Sequence, residues 1–184
     1  MNKLLIIGIV LTSICISAFA QKTTVTVPKL PIDTVTKKYT YTEVVQQKGT
    51  KDTLFNRAIH WIGIYFKNAQ DVTDVRDKEN GKIKGIYRFK IYNTPLKDGT
   101  KIEAGIISFT FNIELKENRY RYKITDLNKK GPSYNALEKW IEKSKTSPVP
   151  EMDSYITQID QYMQDFIKSM KKGMTEAVKV KDEW

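Results

Sequence analysis

Side-chain catalysis needs a nucleophile, an acid–base group or a metal-ligating set, and this chain offers few of these. Its one histidine is His60. A nucleophilic triad would pair it with Ser or Cys and a carboxylate, and a metal site would add further ligands. His60 stands off the apolar stripe of its segment and has no second histidine to join it, so it reads as a surface residue. Asp71, Asp74, Asp77 and Glu79 lie close in sequence. Paired carboxylates serve acid–base or glycosidic chemistry. Asp-x-x-Asp spacing on a strand, however, sends the two side chains to opposite faces, and the ligand spacing of a calcium loop is absent. These read as turn and surface acids. Gly81, Gly85, Gly99 and Gly105 form no phosphate loop; Gly85 and Gly105, inside strands, mark a bulge or the close approach of another backbone. The sequence therefore points to no catalytic residue, no metal site and no cofactor.

Charge is the more informative feature. Lys84, Arg88 and Lys90 recur at even spacing with Tyr92 in the same register, and Arg119, Arg121 and Lys123 alternate in a second segment. If both segments are strands of one sheet, six cations share an open face and make an electrostatic footprint for an anionic polymer or acidic protein. The competing reading is an ordinary solvated face, offset by acids such as Glu114 and Glu43.

The elements that would position these residues follow from periodicity. Residues 39–47 (YTYTEVVQQ) are β-branched and aromatic and read as a strand ended by Gly49. Thr50 or Asp52 can cap a helix in which Leu54, Phe55, Ala58, Ile59, Ile62, Tyr65 and Phe66 form one stripe, with Trp61 at its edge. Asn80-Gly81 suits a type I′ hairpin between strands near 70–78 and 82–92. In 103–115, Ile107, Phe109, Phe111, Ile113 and Leu115 alternate with Ser108, Thr110, Asn112 and Glu114. Glu117-Asn118 turns the chain into 119–126, where Tyr120, Tyr122 and Ile124 point inward. A short helix at 134–143 carries Leu137, Trp140 and Ile141. A long one at about 151–172 repeats apolar residues at three- and four-residue steps from Met152 to Met170, with Gly173 able to end it.

One-sided strands and one-sided helices require each other. The expected fold is α+β: an antiparallel sheet of about five strands with helices on one face, in the order strand, helix, four strands, helices. The expected organisation is an extended leader over 21–37, rich in Thr, Val and Pro and with a short edge strand at Thr23–Val27, then a single domain over 38–173 and a tail over 174–184. Within the domain, 38–127 holds the sheet and first helix and 134–173 the C-terminal helices.

Residues 1–20 read as a cleavable signal peptide. Lys3 supplies the positive start, Leu4 to Ile16 the apolar stretch, and Ser17-Ala18-Phe19-Ala20 the small side chains at the cleavage site. The segment is short for a spanning helix, which takes about 20 apolar residues, and no later run approaches that length. Cleavage would remove Cys15, the one cysteine, excluding disulfides and thiol chemistry from the mature chain. The whole chain carries +10, and loss of Lys3 leaves 30 Lys and Arg against 21 Asp and Glu. Export makes nucleic acid a poor candidate partner for that charge. The expected localisation is the periplasm, with the outer surface or the medium as alternatives.

The stretch YTYTEVVQQKGTKDTLFNRAIHWIGIYF followed by DVRDKENGKIKGIYRF resembles domain-of-unknown-function family 4468. The matching pieces are Tyr41-Thr42-Glu43-Val44-Val45, Leu54-Phe55-Asn56-Arg57-Ala58 with Trp61, and Asp77 through Gly85, and the likeness covers roughly residues 31–127. The resemblance implies an exported protein of the Bacteroidetes kind and a fold like one unit of the TATA-binding protein. It implies no catalytic residue. That protein reads DNA with a saddle of two repeats and apolar wedges, whereas this chain has one unit, and a shared fold does not carry function across.

The leading functional expectation is a non-enzymatic binding module of the cell envelope, contacting an envelope protein, an anionic glycan or a lipid headgroup. The alternative is a carrier of a hydrophobic ligand in a sheet–helix cavity, for which the ten tyrosines, Trp61, Trp140, Met152, Met163 and Met170 would supply the lining. A carboxylate-based hydrolase is the third reading.

Overall fold

The computed structural model describes residues 26–176. The signal segment, most of the Thr23–Val27 strand and residues 177–184 lie outside them. The chain runs β1 (Tyr41–Gln46), α1 (Lys51–Tyr65), α2 (Ala69–Val72), β2 (Thr73–Asp77), β3 (Lys82–Tyr92), β4 (Glu103–Lys116), β5 (Arg119–Lys129), β6 (Asn135–Ala136), α3 (Leu137–Ser144) and α4 (Met152–Thr175). The sheet order is β1-β5-β4-β3-β2 with β6 beside β5, and every pairing is antiparallel. Helices cover one face. This is the expected α+β architecture, with one short strand more.

Alternation places the core. Ile107, Phe109, Phe111, Ile113 and Leu115 of β4 are all buried, as are Tyr120, Tyr122 and Ile124 of β5. From the helical side come Leu54, Phe55, Ala58, Trp61 and Ile62 of α1 and Ile159, Met163, Phe166 and Met170 of α4. Phe166 meets Trp61, Tyr65, Phe109 and Phe111 at ring-centroid distances of 5.2–5.8 Å. The Phe89 and Tyr162 rings stack at 3.8 Å. Aromatic rings thus pack closely along the seam between sheet and helices.

Several expectations are corrected. Asn80-Gly81 does not form a type I′ turn. Gly81 has φ 61°, but Asn80 is not in the left-handed region. The Asp77 carboxylate accepts from the Asn80 backbone N–H and from its side-chain amide, at 2.9 and 2.8 Å. That organises a four-residue loop instead. The strand expected from residue 70 starts at Thr73, because residues 69–72 make the short α2. The helix expected from Tyr134 starts at Leu137, since Asn135 and Ala136 pair with Lys129 and Asn128. Gly173 does not end α4, which continues to Thr175. Thr50 is the cap of α1: its side chain accepts from the Thr53 amide at 3.1 Å. The described part of the leader packs on the domain. Leu30 is buried and Ile32 forms a bridge with Tyr39.

A bulge in β5 matters for the rest of the molecule. Thr110 faces Thr125 and Ser108 faces Asn128, so β5 carries one extra residue there. Asp126, with φ 55°, lies at this irregularity. An added residue reverses the alternation. Leu127 is consequently fully buried on the helix side, and Lys129 follows it, its ammonium 4.5 Å from the Trp140 ring centroid.

Candidate binding surfaces

The sheet face away from the helices is built from alternate residues of five strands. One row across it runs Val44, Arg121, Glu114, Lys82 and Asp77; the next runs Thr42, Lys123, Asn112, Lys84 and Val75. Arg88 faces Ser108, and Lys90 faces Ile106. Lys84, Arg88 and Lys90 therefore form a column on β3, and Arg119, Arg121 and Lys123 one on β5. With β4 between them the columns lie roughly 10 Å apart, twice the spacing of neighbouring strands.

Three of the six cations are paired. Lys90 meets Glu103 at 2.7 Å, Arg121 meets Glu114 at 2.7 Å, and Lys123 meets Asp33 of the leader at 3.7 Å. The hydrogen bond from Lys90 to Glu103 raises the lysine pKa above its ordinary value. Asp33 is held below the usual carboxylate range, first by the Thr36 and Val35 backbone amides and also by Lys123. Among the described residues, Lys84, Arg88 and Arg119 have no carboxylate within salt-bridge distance. Tyr92 lies at the end of the β3 column, where the cation near its ring is Lys101, 6.0 Å from the centroid. Its backbone N–H and C=O are both bonded to the Gln158 side chain, at 2.9 and 2.8 Å.

Sequence reasoning missed two components of this face. Lys82 continues the β3 column by the same alternation and could have been read from it. Val44, Val75 and Ile86 are exposed apolar residues on the face, so it is mixed rather than purely cationic.

The chemistry-bearing residues considered first do not converge. His60 is exposed on α1. Asp77 is committed to its turn, and the Asn80 backbone amide, the larger of its hydrogen-bond causes, lowers its pKa. Asp71 accepts from Asn68 beside it. Among the described residues no three His, Cys, Asp or Glu side chains are grouped to hold a metal ion.

Residues 41–130 match the family model of a domain of unknown function, DUF4468, with a TBP-like fold. That stretch, just under half of the chain, is similar to the DUF4468 family. The match takes in β1 to β5, and so the whole of the open face. The structure is similar to a TBP-like protein from Parabacteroides distasonis, with a TM-score of 0.64 at 15% identity, covering 80% of this chain and 98% of that one. It is similar also to a DUF4468 family protein from Bacteroides ovatus, with a TM-score of 0.61 at 12% identity, covering 82% and 93%. No curated protein matches the chain. At these identities the solved structures show the fold alone. Their coverage exceeds the span of the family match, so the shared fold extends beyond it. The described residues include no helix long and apolar enough to cross a membrane.

Proposed function

We propose that the chain is an exported, non-enzymatic binding module of the cell envelope, acting in the periplasm, whose open sheet face holds an anionic partner. The observation that carries this reading is that Lys84, Arg88 and Arg119 stand on an uncovered face with no carboxylate partner among the described residues. Cations left unpaired on a basic chain repel one another, and an anionic partner relieves that repulsion. The neighbouring Ile86 and Val75 add apolar contact area. The export signal read from residues 1–20 supports the envelope and argues against nucleic acid as the partner. The close aromatic packing of the sheet–helix seam favours this reading over a hydrophobic-ligand carrier.

The test uses residues 21–184 with two probes, vesicles containing anionic headgroups and a sulfated glycan, at low and high salt. Affinity capture from an envelope fraction, read by native mass spectrometry, covers a protein partner. Binding that weakens with salt and falls about tenfold or more in the Lys84→Glu, Arg88→Glu variant is expected. An affinity unchanged by that variant would remove the open face as the contact surface.

A further inference from the structure

We infer that a cleft between the 129–135 segment and α3, on the helical side of the sheet, is a second binding site that takes a short acidic saccharide. The site is separate from the open sheet face and does not depend on the reading of that face.

The bulge at Asp126 creates the site. Without its extra residue, strand alternation would place Lys129 on the open face with Arg121 and Lys123. With it, Lys129 turns toward Trp140. From there the chain loops through Lys130-Gly131-Pro132-Ser133-Tyr134 and pairs again through Asn135. The opposite wall comes from α3 and the turn after it, where Trp140, Lys143, Ser144 and Ser147 recur at three- and four-residue steps and share a side. Glu138 and Glu142 take another side of the helix, and Glu138 accepts from the Tyr39 amide at 2.6 Å.

The cleft has a volume of about 540 Å³, within the range of small-ligand sites. Three of its lining residues are lysines, Lys129, Lys130 and Lys143, and no Asp or Glu lines it. None of the three has a carboxylate partner among the described residues. One ammonium, that of Lys129, lies over the Trp140 face. The others, on the exposed Lys130 and Lys143, are available to an incoming anion.

The remaining polar lining points to the ligand class. Ser133, Ser144, Ser147, Asn135 and the largely exposed Tyr134 supply hydroxyl and amide groups. Ser144 already donates to the Ile141 carbonyl at 2.7 Å, which leaves its oxygen as an acceptor. Ammonium groups suit carboxylate or sulfate substituents, hydroxyls and amides suit sugar hydroxyls, and the Tyr134 ring offers a flat surface to a pyranose. A fatty acid would leave the hydroxyl and amide wall unused, and a neutral sugar would leave the lysines unanswered.

Calorimetric titration of residues 21–184 with four probes tests this. They are a sulfated disaccharide, a uronic-acid oligomer, a neutral oligosaccharide of equal length, and inorganic sulfate. Saturable binding of one or both acidic sugars is expected, and which one binds identifies the anionic group. Neutral sugar and free sulfate should bind at least about tenfold more weakly, the worth of one charge-assisted contact. Lys130→Glu with Lys143→Glu should abolish binding, while Lys84→Glu with Arg88→Glu should leave it intact. All four positions are exposed, so these variants should fold. Equal binding of neutral sugar or sulfate, no binding of either acidic sugar, or loss only in the open-face variant would each overturn the assignment.

Discussion

Gly173 of α4 lies directly against Trp61 of α1. A Cβ added at Gly173 would come within 2.6 Å of the Trp61 Cβ and 2.7 Å of its Cγ and Cδ1. Trp61 is itself held, because its indole N–H donates to the Ser169 hydroxyl at 3.1 Å, one turn back along α4. The glycine is therefore what lets the two helices meet.

Gly173→Ala consequently opposes two effects. Alanine favours an exposed helix interior by about 1 kcal/mol over glycine. Overpacking a filled contact costs about 1–3 kcal/mol, and here the obstructing atom is a Cβ that cannot move without its helix. The expected result is a net loss of up to about 2 kcal/mol, read as a lower urea midpoint at unchanged slope. A midpoint equal to or above that of the unaltered protein would show that α1 and α4 do not approach so closely.

The same glycine marks the limit of what periodicity reveals. Gly173 after a long apolar repeat has the pattern of a helix end, and only the position of Trp61, far away in sequence, shows it to be a packing device. The strands were legible because Phe109, Phe111 and Ile113 alternate without interruption. The Asn80 turn was misread because its geometry depends on the Asp77 side chain, which the Asn-Gly dipeptide does not reveal. The six cations of the open face were legible by alternation alone. Their pairing was not, since Glu103, Glu114 and Asp33 reach Lys90, Arg121 and Lys123 through register and through the folding-back of the leader. The lysine cleft was invisible, because one extra residue at Asp126 reverses the parity on which the reading rested.

Glu43 links the edge strand β1 to α4 and should give the protein an acid-sensitive contact. Its carboxylate accepts from Lys171 at 2.6 Å and from the Tyr122 hydroxyl at 2.9 Å. The Lys171 bond lowers its pKa below the ordinary 4.5; burial opposes this to a smaller degree, and the Tyr122 bond adds to the lowering. A carboxyl more acidic in the folded than in the unfolded state stabilises above its unfolded pKa, and that stability is lost as pH falls through the folded value. Both partners are partly exposed, at 38% and 45%, so screening limits the contribution to under about 1 kcal/mol. Glu43→Gln should therefore be less stable than the unaltered protein near neutral pH and approach it below the carboxylate range. A stability difference independent of pH would show that the ion pair contributes nothing.

Tyr120 and Tyr122 should respond in opposite directions to loss of their hydroxyls. Tyr120 is almost fully buried, and its hydroxyl has no hydrogen-bond partner among the described residues. Burial, with a smaller effect from Glu43, pushes its pKa up to about 12. An unpaired buried hydroxyl costs about 1–3 kcal/mol, so Tyr120→Phe should leave the urea midpoint unchanged or raise it. The Tyr122 hydroxyl donates to Glu43, and Tyr122→Phe should cost about 1 kcal/mol. A destabilised Tyr120→Phe would reveal a partner for that hydroxyl.

Asp126 tests whether the β5 bulge holds both the core and the cleft. Its φ of 55° suits Asp, Asn or Gly, whereas other side chains pay about 1–2 kcal/mol there, and β-branched ones more. Asp126 also pairs with Lys38 at 2.5 Å, but both side chains are more than a third exposed, so that contact contributes under about 1 kcal/mol. Asp126→Asn keeps the backbone preference and removes the pair; it should cost under about 1 kcal/mol. Asp126→Val removes both and should cost at least about 1 kcal/mol more. The Val variant should also disturb Lys129 and Trp140, because the bulge is what turns Leu127 and Lys129 to the helix side. Trp140 resonances read by NMR should therefore shift in Asp126→Val and stay in place in Asp126→Asn. Equal stability and unshifted Trp140 signals in both variants would mean that the turn of β5 toward α3 is set elsewhere.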